Sequence, residues 1–259
     1  IGVKLMAEHA IVALTDLGAN LIDQRSAPLE DDLSPEHVVG ILGSTIDDLR
    51  DAWPGRKVVG LGLGMAGVID REHGTCRFSP FLPWRDVPIR DLLADRTALH
   101  VIVENDVNAL TIAERWFGAG SAEPNFLVVT IGRGVGMGIM VHGSLYRGAR
   151  DGAGEFGHVT VVEHGQRCNC GKDGCLEAYT SESALQRAIR EIDGPANLDD
   201  AAGRARAGDE RLAAVFRNAG HLLGLALANV ITTLNPGLIP LSGEGWRFLD
   251  LMLPALRET

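Results

Sequence analysis

The sequence predicts an α/β protein made of two halves. Short apolar stretches with the pattern of strands are followed by helical patterns, and the same order starts again after residue 119. The length of 259 residues allows two medium-sized cores, and the 46% hydrophobic content suits a compact fold. We therefore expect one α/β domain at residues 1–119 and a second at residues 120–259.

The first half begins with three strands joined by tight turns. A helix starts at Ser34–Pro35, because Ser is a preferred helix cap and Pro suits the first helical position; Pro54–Gly55 ends it. The other predicted elements are strands at Ile1–Leu5, Ala10–Thr15, Asn20–Ser26, Val58–Leu63 and Leu99–Val103, and a helix at Ala109–Trp116. A three-strand meander followed by alternating helices and strands is the order expected of a ribonuclease-H-like unit.

The second half repeats this alternation. Its predicted elements are strands at Phe126–Ile131, Gly134–Val141 and Leu238–Leu241, and helices near Ser181–Ile192, Asp209–Phe216 and Leu222–Leu234. The last helix is the most apolar stretch of the chain. We predict that it is buried, because the stretch is too short to span a bilayer. Both ends of the sequence look trimmed, so a further N-terminal module is expected.

Charge and cysteine usage limit the function classes. The formal net charge is −10 and no basic run is visible, which argues against direct binding of nucleic acid by this chain. A signal peptide is not apparent. The few cysteines favour metal binding over disulfide bonds and so predict a cytoplasmic protein, and Cys76 is expected to be a small strand residue.

A cysteine-rich stretch predicts a metal centre. Cys168, Cys170 and Cys175 have the spacing C-x-C-x4-C, and His158 lies ten residues before the first of them. Three thiolates and one imidazole favour a closed tetrahedral zinc site, so the zinc is expected to be structural. The alternatives are ordinary buried cysteines or a disulfide bond, although C-x-C is a poor disulfide pair.

This region resembles the signature of the ROK family, named for repressors, open reading frames and kinases. The residues that carry the resemblance are G-E-F-G-H-x-T-V, from Gly154, and C-x-C-G-x-x-G-C-L-E-A-Y, from Cys168. The resemblance implies two ribonuclease-H-like domains of the actin and hexokinase type, flanking a cleft, with the zinc-bound loop in the second. It also implies a hinge near Gly118–Pro124.

The resemblance further implies a sugar site. In ROK sugar kinases an Asp matching Asp106 is the general base for the sugar hydroxyl, and the Asn before it, here Asn105, contacts the sugar. Glu155, His158 and Glu177 correspond to the other sugar contacts. From the residues alone, a helix cap is the better explanation of Asn105 or Asp106. Phe81 stands where bacterial members carry a sugar-contacting Asn.

The nucleotide side departs from the kinase pattern. The family's kinases begin with D-x-G-G-T, which organises Mg²⁺ and phosphate, and this chain has Lys4, Met6, Ala7 and Glu8 at those places. A second phosphate loop is partly kept at residues 130–136, with Arg133 where the kinases have Thr. Residues 242–245 resemble the glycine motif on the adenosine side.

We interpret these features as the sugar-responsive effector and oligomerisation domain of a ROK transcriptional regulator, and hence not as an enzyme. DNA would be bound only through a helix-turn-helix module outside this chain, and the protein would form a homodimer or homotetramer without membrane contact. An ATP-dependent sugar kinase and a zinc-stabilised scaffold without a ligand are the alternatives.

Overall fold

The computed structural model describes residues 1–194 and 197–259. The strands are Gly2–Leu5 (β1), His9–Thr15 (β2), Leu21–Pro28 (β3), Leu61–Met65 (β4), Val68–Asp70 (β5), Thr75–Phe78 (β6), Arg85–Val87 (β7), Val101–Asn105 (β8), Phe126–Ile131 (β9), Val135–Val141 (β10), Ser144–Leu145 (β11) and Leu241–Ser242 (β12). The α-helices are Pro35–Asp51 (α1), Ile89–Thr97 (α2), Asp106–Phe117 (α3), Glu177–Thr180 (α4), Glu182–Asp193 (α5), Leu198–Arg206 (α6), Glu210–Leu234 (α7) and Leu249–Glu258 (α8).

Two compact units make up the chain. Unit 1 comprises Ile1–Ala113 together with Arg147–Gly152, and unit 2 comprises Glu114–Tyr146 together with Ala153–Thr259. Each unit has its own hydrophobic core. The domain boundary after residue 119 and the hinge near Gly118–Pro124 stay predictions.

Unit 1 contains the predicted meander. Its five-stranded sheet has the order β3-β2-β1-β4-β8, in which β1 is antiparallel to β2 and parallel to β4. Alternate residues of β2 are buried, as expected for a strand with one face on the core. The strand predicted at Val58–Leu63 begins only at Leu61, because Leu61 is the first residue to pair with β8 and Val59 is 69% exposed.

The helix predicted from Ser34–Pro35 is α1. Pro35 occupies its first turn, and one face is buried through Val38, Leu42, Ile46 and Leu49. Trp53 lies beyond the helix end and donates its indole N–H to Asp23 Oδ2 at 3.0 Å.

A small three-stranded sheet, β5-β6-β7, and helix α2 follow β4 and were not predicted. Cys76 lies on β6 and is fully buried, and burial raises the pKa of its thiol to about 11. The thiol is therefore protonated at neutral pH, as expected of a small strand residue rather than a nucleophile.

Unit 2 has a four-stranded mixed sheet of order β11-β10-β9-β12, where β9 is antiparallel to β10 and parallel to β12. The helices predicted at Asp209–Phe216 and Leu222–Leu234 are one continuous helix, α7. Gly220 does not break this helix. It lets α8 approach, since a Cβ at Gly220 would lie 2.2 Å from the carbonyl oxygen of Met252. Helix α6 was not predicted.

Helix α7 is long and apolar enough to cross a membrane by length and composition alone. The stretch Leu222–Leu234 is only part of this longer helix, so its own length does not exclude a membrane span. The predicted burial holds for its first half, where Leu223 and Leu227 belong to the core of unit 2, whereas Ile231 and Leu234 are 45% and 42% exposed.

Candidate functional site

Four side chains in unit 2 form a cluster that could hold one metal ion. The ligand atoms of His158, Cys168, Cys170 and Cys175 all lie within 4.8 Å of one another. All three cysteines are free, so the disulfide alternative is excluded for them. These are the four residues that the spacing predicted.

The distances fit tetrahedral coordination. With Zn–S of about 2.3 Å and Zn–N of about 2.0–2.1 Å, a tetrahedral ion sets two sulfurs about 3.8 Å apart and a sulfur about 3.6 Å from a nitrogen. Cys170 Sγ lies 3.6 Å from Cys175 Sγ, and Cys168 Sγ lies 3.6 Å from His158 Nδ1. Burial raises the pKa of Cys175 to about 12, so its thiol needs a cation to become a thiolate.

Two glycines allow the cysteine loop to turn. Gly171 and Gly174 have φ values of +94° and +75°, which L side chains rarely adopt. Gly174 is also enclosed, because a Cβ there would lie 1.7 Å from the carbonyl oxygen of Val162. The Gly174 N–H donates to the Gln166 carbonyl oxygen at 2.8 Å, which holds this turn on the preceding segment of the loop.

The motifs that begin at Gly154 and Cys168 place three predicted sugar contacts near the metal cluster. His158 ends a short 3₁₀ helix, Phe156–His158, and its Nδ1 faces the cysteines while Nε2 lies 3.8 Å from Glu155 Oε2. Glu177 begins α4 and accepts the Val135 N–H at 3.0 Å. Glu155, His158 and Glu177 therefore lie together in unit 2.

The pKa of the Glu155 carboxyl depends on its burial and on the charges of His158 and Glu177. Burial raises the pKa of the Glu155 carboxyl and the negative charge of Glu177 adds to this, whereas His158 acts in the opposite direction. Burial is therefore the larger cause of the raised pKa, and repulsion from Glu177 is the smaller one.

Asn105 and Asp106 lie in unit 1, where β8 ends and α3 begins. Asn105 Oδ1 accepts the N–H groups of Val107 and Asn108 at 2.9 and 3.1 Å, and its Nδ2 donates to the Gly67 carbonyl oxygen at 3.0 Å. Asn105 is therefore a helix cap, as the residues alone suggested. One amide hydrogen of Asn105 has no partner among these three bonds and is available to a ligand.

Sequence reasoning missed two residues beside this pair. Glu104 is 7% exposed, and its carboxylate accepts from Arg147 Nη2 at 2.6 Å and from Asn108 Nδ2 at 3.2 Å. The signal available was the acidic residue directly before Asn105; its arginine partner, forty-three residues later, could not be found from spacing. Phe81, also in unit 1, is 38% exposed.

The two glycine-rich segments predicted for the nucleotide side come together in unit 2. A Cβ at Gly243 would lie 2.3 Å from the carbonyl oxygen of Ile131, so residues 243–245 pack directly on the segment 131–132. Glu244 Oε2 lies 2.4 Å from the Cβ position of Gly132. In unit 1, the turn between β1 and β2 carries Met6, Ala7 and Glu8, and the Met6 N–H donates to the His9 carbonyl oxygen at 3.0 Å.

The chain is similar in sequence to one protein family and to several known proteins. The sequence model of the ROK family matches residues 1–259. A glucokinase of Thermotoga maritima is 38% identical over 86% of this chain and 74% of its own length. The xylose repressor of Bacillus subtilis is 30% identical over 100% of this chain and 67% of its own length.

A solved structure agrees with the sequence comparison. The ROK family glucokinase of Streptomyces griseus, in complex with glucose and AMPPNP, has a TM-score of 0.83 and 28% identity, over 99% of this chain and 86% of that one. The predicted fold of the actin and hexokinase type, with mixed sheets, is confirmed.

One expectation is overturned by these relatives. The chain was expected not to be an enzyme, because D-x-G-G-T is missing. Relatives at 38% and 36% identity are named glucokinases, and the similar structure binds glucose with a nucleotide analogue. The prediction that the chain is not an enzyme is therefore wrong. It relied on a few altered N-terminal residues, whereas the similarity to glucokinases extends over most of the chain.

Proposed function

Because the chain belongs to the ROK family, we propose that it binds a sugar through Asn105, Asp106, Glu155, His158 and Glu177. The observation that carries this proposal is the convergence of Glu155, His158 and Glu177 beside the metal cluster. Sugar hydroxyl groups both donate and accept, so carboxylates that accept and an imidazole N–H that donates suit them. Glucose in the complex of the Streptomyces griseus relative supports the ligand class.

The metal in this proposal is structural Zn²⁺, held by His158, Cys168, Cys170 and Cys175. Zinc would stabilise the thiolates and fix the loop between His158 and Glu177. With Nδ1 on the ion, the imidazole keeps its proton on Nε2, the nitrogen that faces Glu155. The chain's own residues then present one N–H donor beside the Glu155 carboxylate.

Binding is expected to depend on the carboxylates. Asp106→Ala or Glu177→Ala should weaken sugar binding at least about tenfold, since a charge-assisted hydrogen bond contributes about 1.5–3 kcal/mol. Calorimetric titration with a panel of hexoses and amino sugars measures this effect. Asp48→Ala, which removes an exposed carboxylate from α1, is the matched control. Failure of the wild type to bind any sugar would contradict the proposal.

Phe81 influences which sugar binds in this proposal. An aromatic ring can stack on the apolar face of a sugar, but it cannot make the hydrogen bonds of the Asn that bacterial family members have at this position. The titration is therefore repeated with Phe81→Asn, which should shift the preference toward sugars with more hydroxyl groups. An unchanged order of affinities would show that Phe81 does not contact the ligand.

Two functions can follow from sugar binding. The identities to glucokinases favour a sugar kinase. In that function Asp106 accepts the proton of a sugar hydroxyl, the oxygen attacks the γ-phosphorus of ATP, and ADP leaves. The adjacent glycine-rich segments at 130–136 and 242–245 support a nucleotide site in unit 2.

The N-terminal strand favours the second function, a sugar-responsive domain of a transcriptional regulator. Lys4, Met6, Ala7 and Glu8 replace the residues that organise Mg²⁺ and phosphate in the kinase pattern. The alignment with the xylose repressor covers the whole chain. DNA binding would come from a helix-turn-helix module of a longer gene product, working as a homodimer or homotetramer in the cytoplasm.

An ATP-coupled assay over the same sugar panel separates the two functions. A kinase gives sugar-dependent formation of ADP, which Asp106→Asn lowers about 10²–10⁴-fold because the general base is lost. A regulator gives a sugar-dependent change in operator binding by the full-length gene product, which Asp106→Ala weakens.

A further inference from the structure

Glu104 is a buried carboxylate that directly precedes the predicted sugar contacts of unit 1. It lies in β8, with Asn105 as the last residue of the strand and Asp106 as the first residue of α3. Its side chain is 10% exposed. A buried carboxylate must be hydrogen-bonded and paired to remain stable in its charged form.

One oxygen of Glu104 fixes the start of α3. Oε1 accepts the Asn105 N–H at 3.0 Å and Asn108 Nδ2 at 3.2 Å. The Asn108 N–H in turn donates to the cap oxygen of Asn105. These bonds close a ring through Glu104, Asn105 and Asn108, and Asp106 lies within the turn that the ring encloses.

The other oxygen of Glu104 is held by arginine. Arg147 donates to Oε2 through Nη2 at 2.6 Å and Nε at 3.2 Å, with its side chain 22% exposed. Arg71 lies farther away, at 3.8 Å, and is 52% exposed. Arg147 therefore provides most of the compensation for the buried charge, because an exposed and distant partner is screened by solvent.

We propose that Arg147 is a positioning residue for the sugar contacts Asn105 and Asp106, acting through Glu104. It belongs to the segment Arg147–Gly152 of unit 1, which runs directly into Gly154 and Glu155. Without the guanidinium, the Glu104 carboxylate would lose its charged partner, and the ring that orients Asn105 would open. The part of this inference that concerns sugar binding rests on the proposed function.

Calorimetric titration of Arg147 variants tests the proposal. Arg147→Ala should weaken sugar binding about tenfold or more, and Arg147→Lys should recover part of the loss, since it restores the charge but not the two-nitrogen contact. Arg71→Ala and Arg150→Ala, an exposed arginine of the same segment, should stay within about twofold of wild type. Equal affinities of Arg147→Ala and wild type would overturn the proposal.

Hydrogen exchange of the ligand-free protein supplies a readout that does not depend on sugar. Arg147→Ala should speed exchange about tenfold at the amides of Asn105, Val107 and Asn108, which donate to Glu104 or Asn105. Amides of α1 should be unchanged, which separates a local effect from general unfolding. Unchanged exchange near Asn105 would contradict positioning by Arg147, whereas a wild type that binds no sugar contradicts only the proposed function.

Discussion

Cys170→Ser is expected to release the metal and loosen the loop between His158 and Glu177. Cys170 is the exposed member of the cluster, so its replacement removes a ligand without leaving a buried cavity. A serine oxygen is a poor substitute for a thiolate on zinc. Elemental analysis should find about one zinc per chain in the wild type and much less in the variant.

The loss of metal should also be visible in the loop itself. The Cys168 N–H donates to the Lys172 carbonyl oxygen at 2.8 Å, and the Leu176 N–H donates to the Val159 carbonyl oxygen at 2.9 Å. Both amides should exchange faster in Cys170→Ser. Sugar binding should weaken about tenfold or more, because His158 would lose the partner of its Nδ1.

Cys76→Ser is the matched control for this experiment. The substitution is chemically the same, but Cys76 is buried on β6 of unit 1 and is not part of the cluster. It should lower stability and leave the zinc content unchanged. A fully folded wild type without zinc, or a Cys170→Ser variant that keeps its zinc, would disprove the metal proposal.

The sequence was most informative where a local pattern determines the result. The spacing of Cys168, Cys170 and Cys175 after His158 identified the four clustered side chains, because a short loop brings its own residues together. Strand β9 was predicted at its observed bounds, since a continuous apolar run between turns is a clear signal for a buried strand.

The sequence was least informative where a distant contact decides the structure. The helices predicted at Asp209–Phe216 and Leu222–Leu234 are one helix, α7, and α8 packs on it at Gly220. The pairing of Glu104 with Arg147 joins residues 43 apart, and local spacing gives no sign of it. The strand at Val58–Leu63 was placed too early because pairing with β8, and not local apolarity, sets where β4 begins.

The missing D-x-G-G-T illustrates a different limit. Lys4, Met6, Ala7 and Glu8 show that β1 and the turn after it lack the kinase residues, but they do not decide the activity of a whole chain. The relatives named glucokinases and xylose repressors are both similar to this chain over most of its length, yet their names assign them different activities. Function therefore has to be tested at the sugar site and at the nucleotide side separately.

Gly174→Ala should destabilise the metal loop far more than Gly171→Ala does. Both glycines lie between Cys170 and Cys175 and both have positive φ, so both substitutions cost about 1–2 kcal/mol in backbone strain. Only at Gly174 would the new methyl group also meet the Val162 carbonyl oxygen, at 1.7 Å; around Gly171 the space is open. Overpacking of this kind adds about 1–3 kcal/mol.

The two variants therefore separate close packing from backbone conformation. Gly174→Ala should lose zinc and lower the thermal midpoint by several degrees, since about 1 kcal/mol corresponds to roughly 2–4 °C in a chain of this size. Gly171→Ala should keep its zinc and lower the midpoint only by the part that backbone strain causes, about 2–8 °C, as measured by elemental analysis and thermal unfolding of both proteins. Equal losses of zinc and of thermal stability in the two variants would mean that the positive φ alone determines the cost of each substitution. The close approach of Val162 to Gly174 would then not shape the loop on which His158 and Glu177 depend.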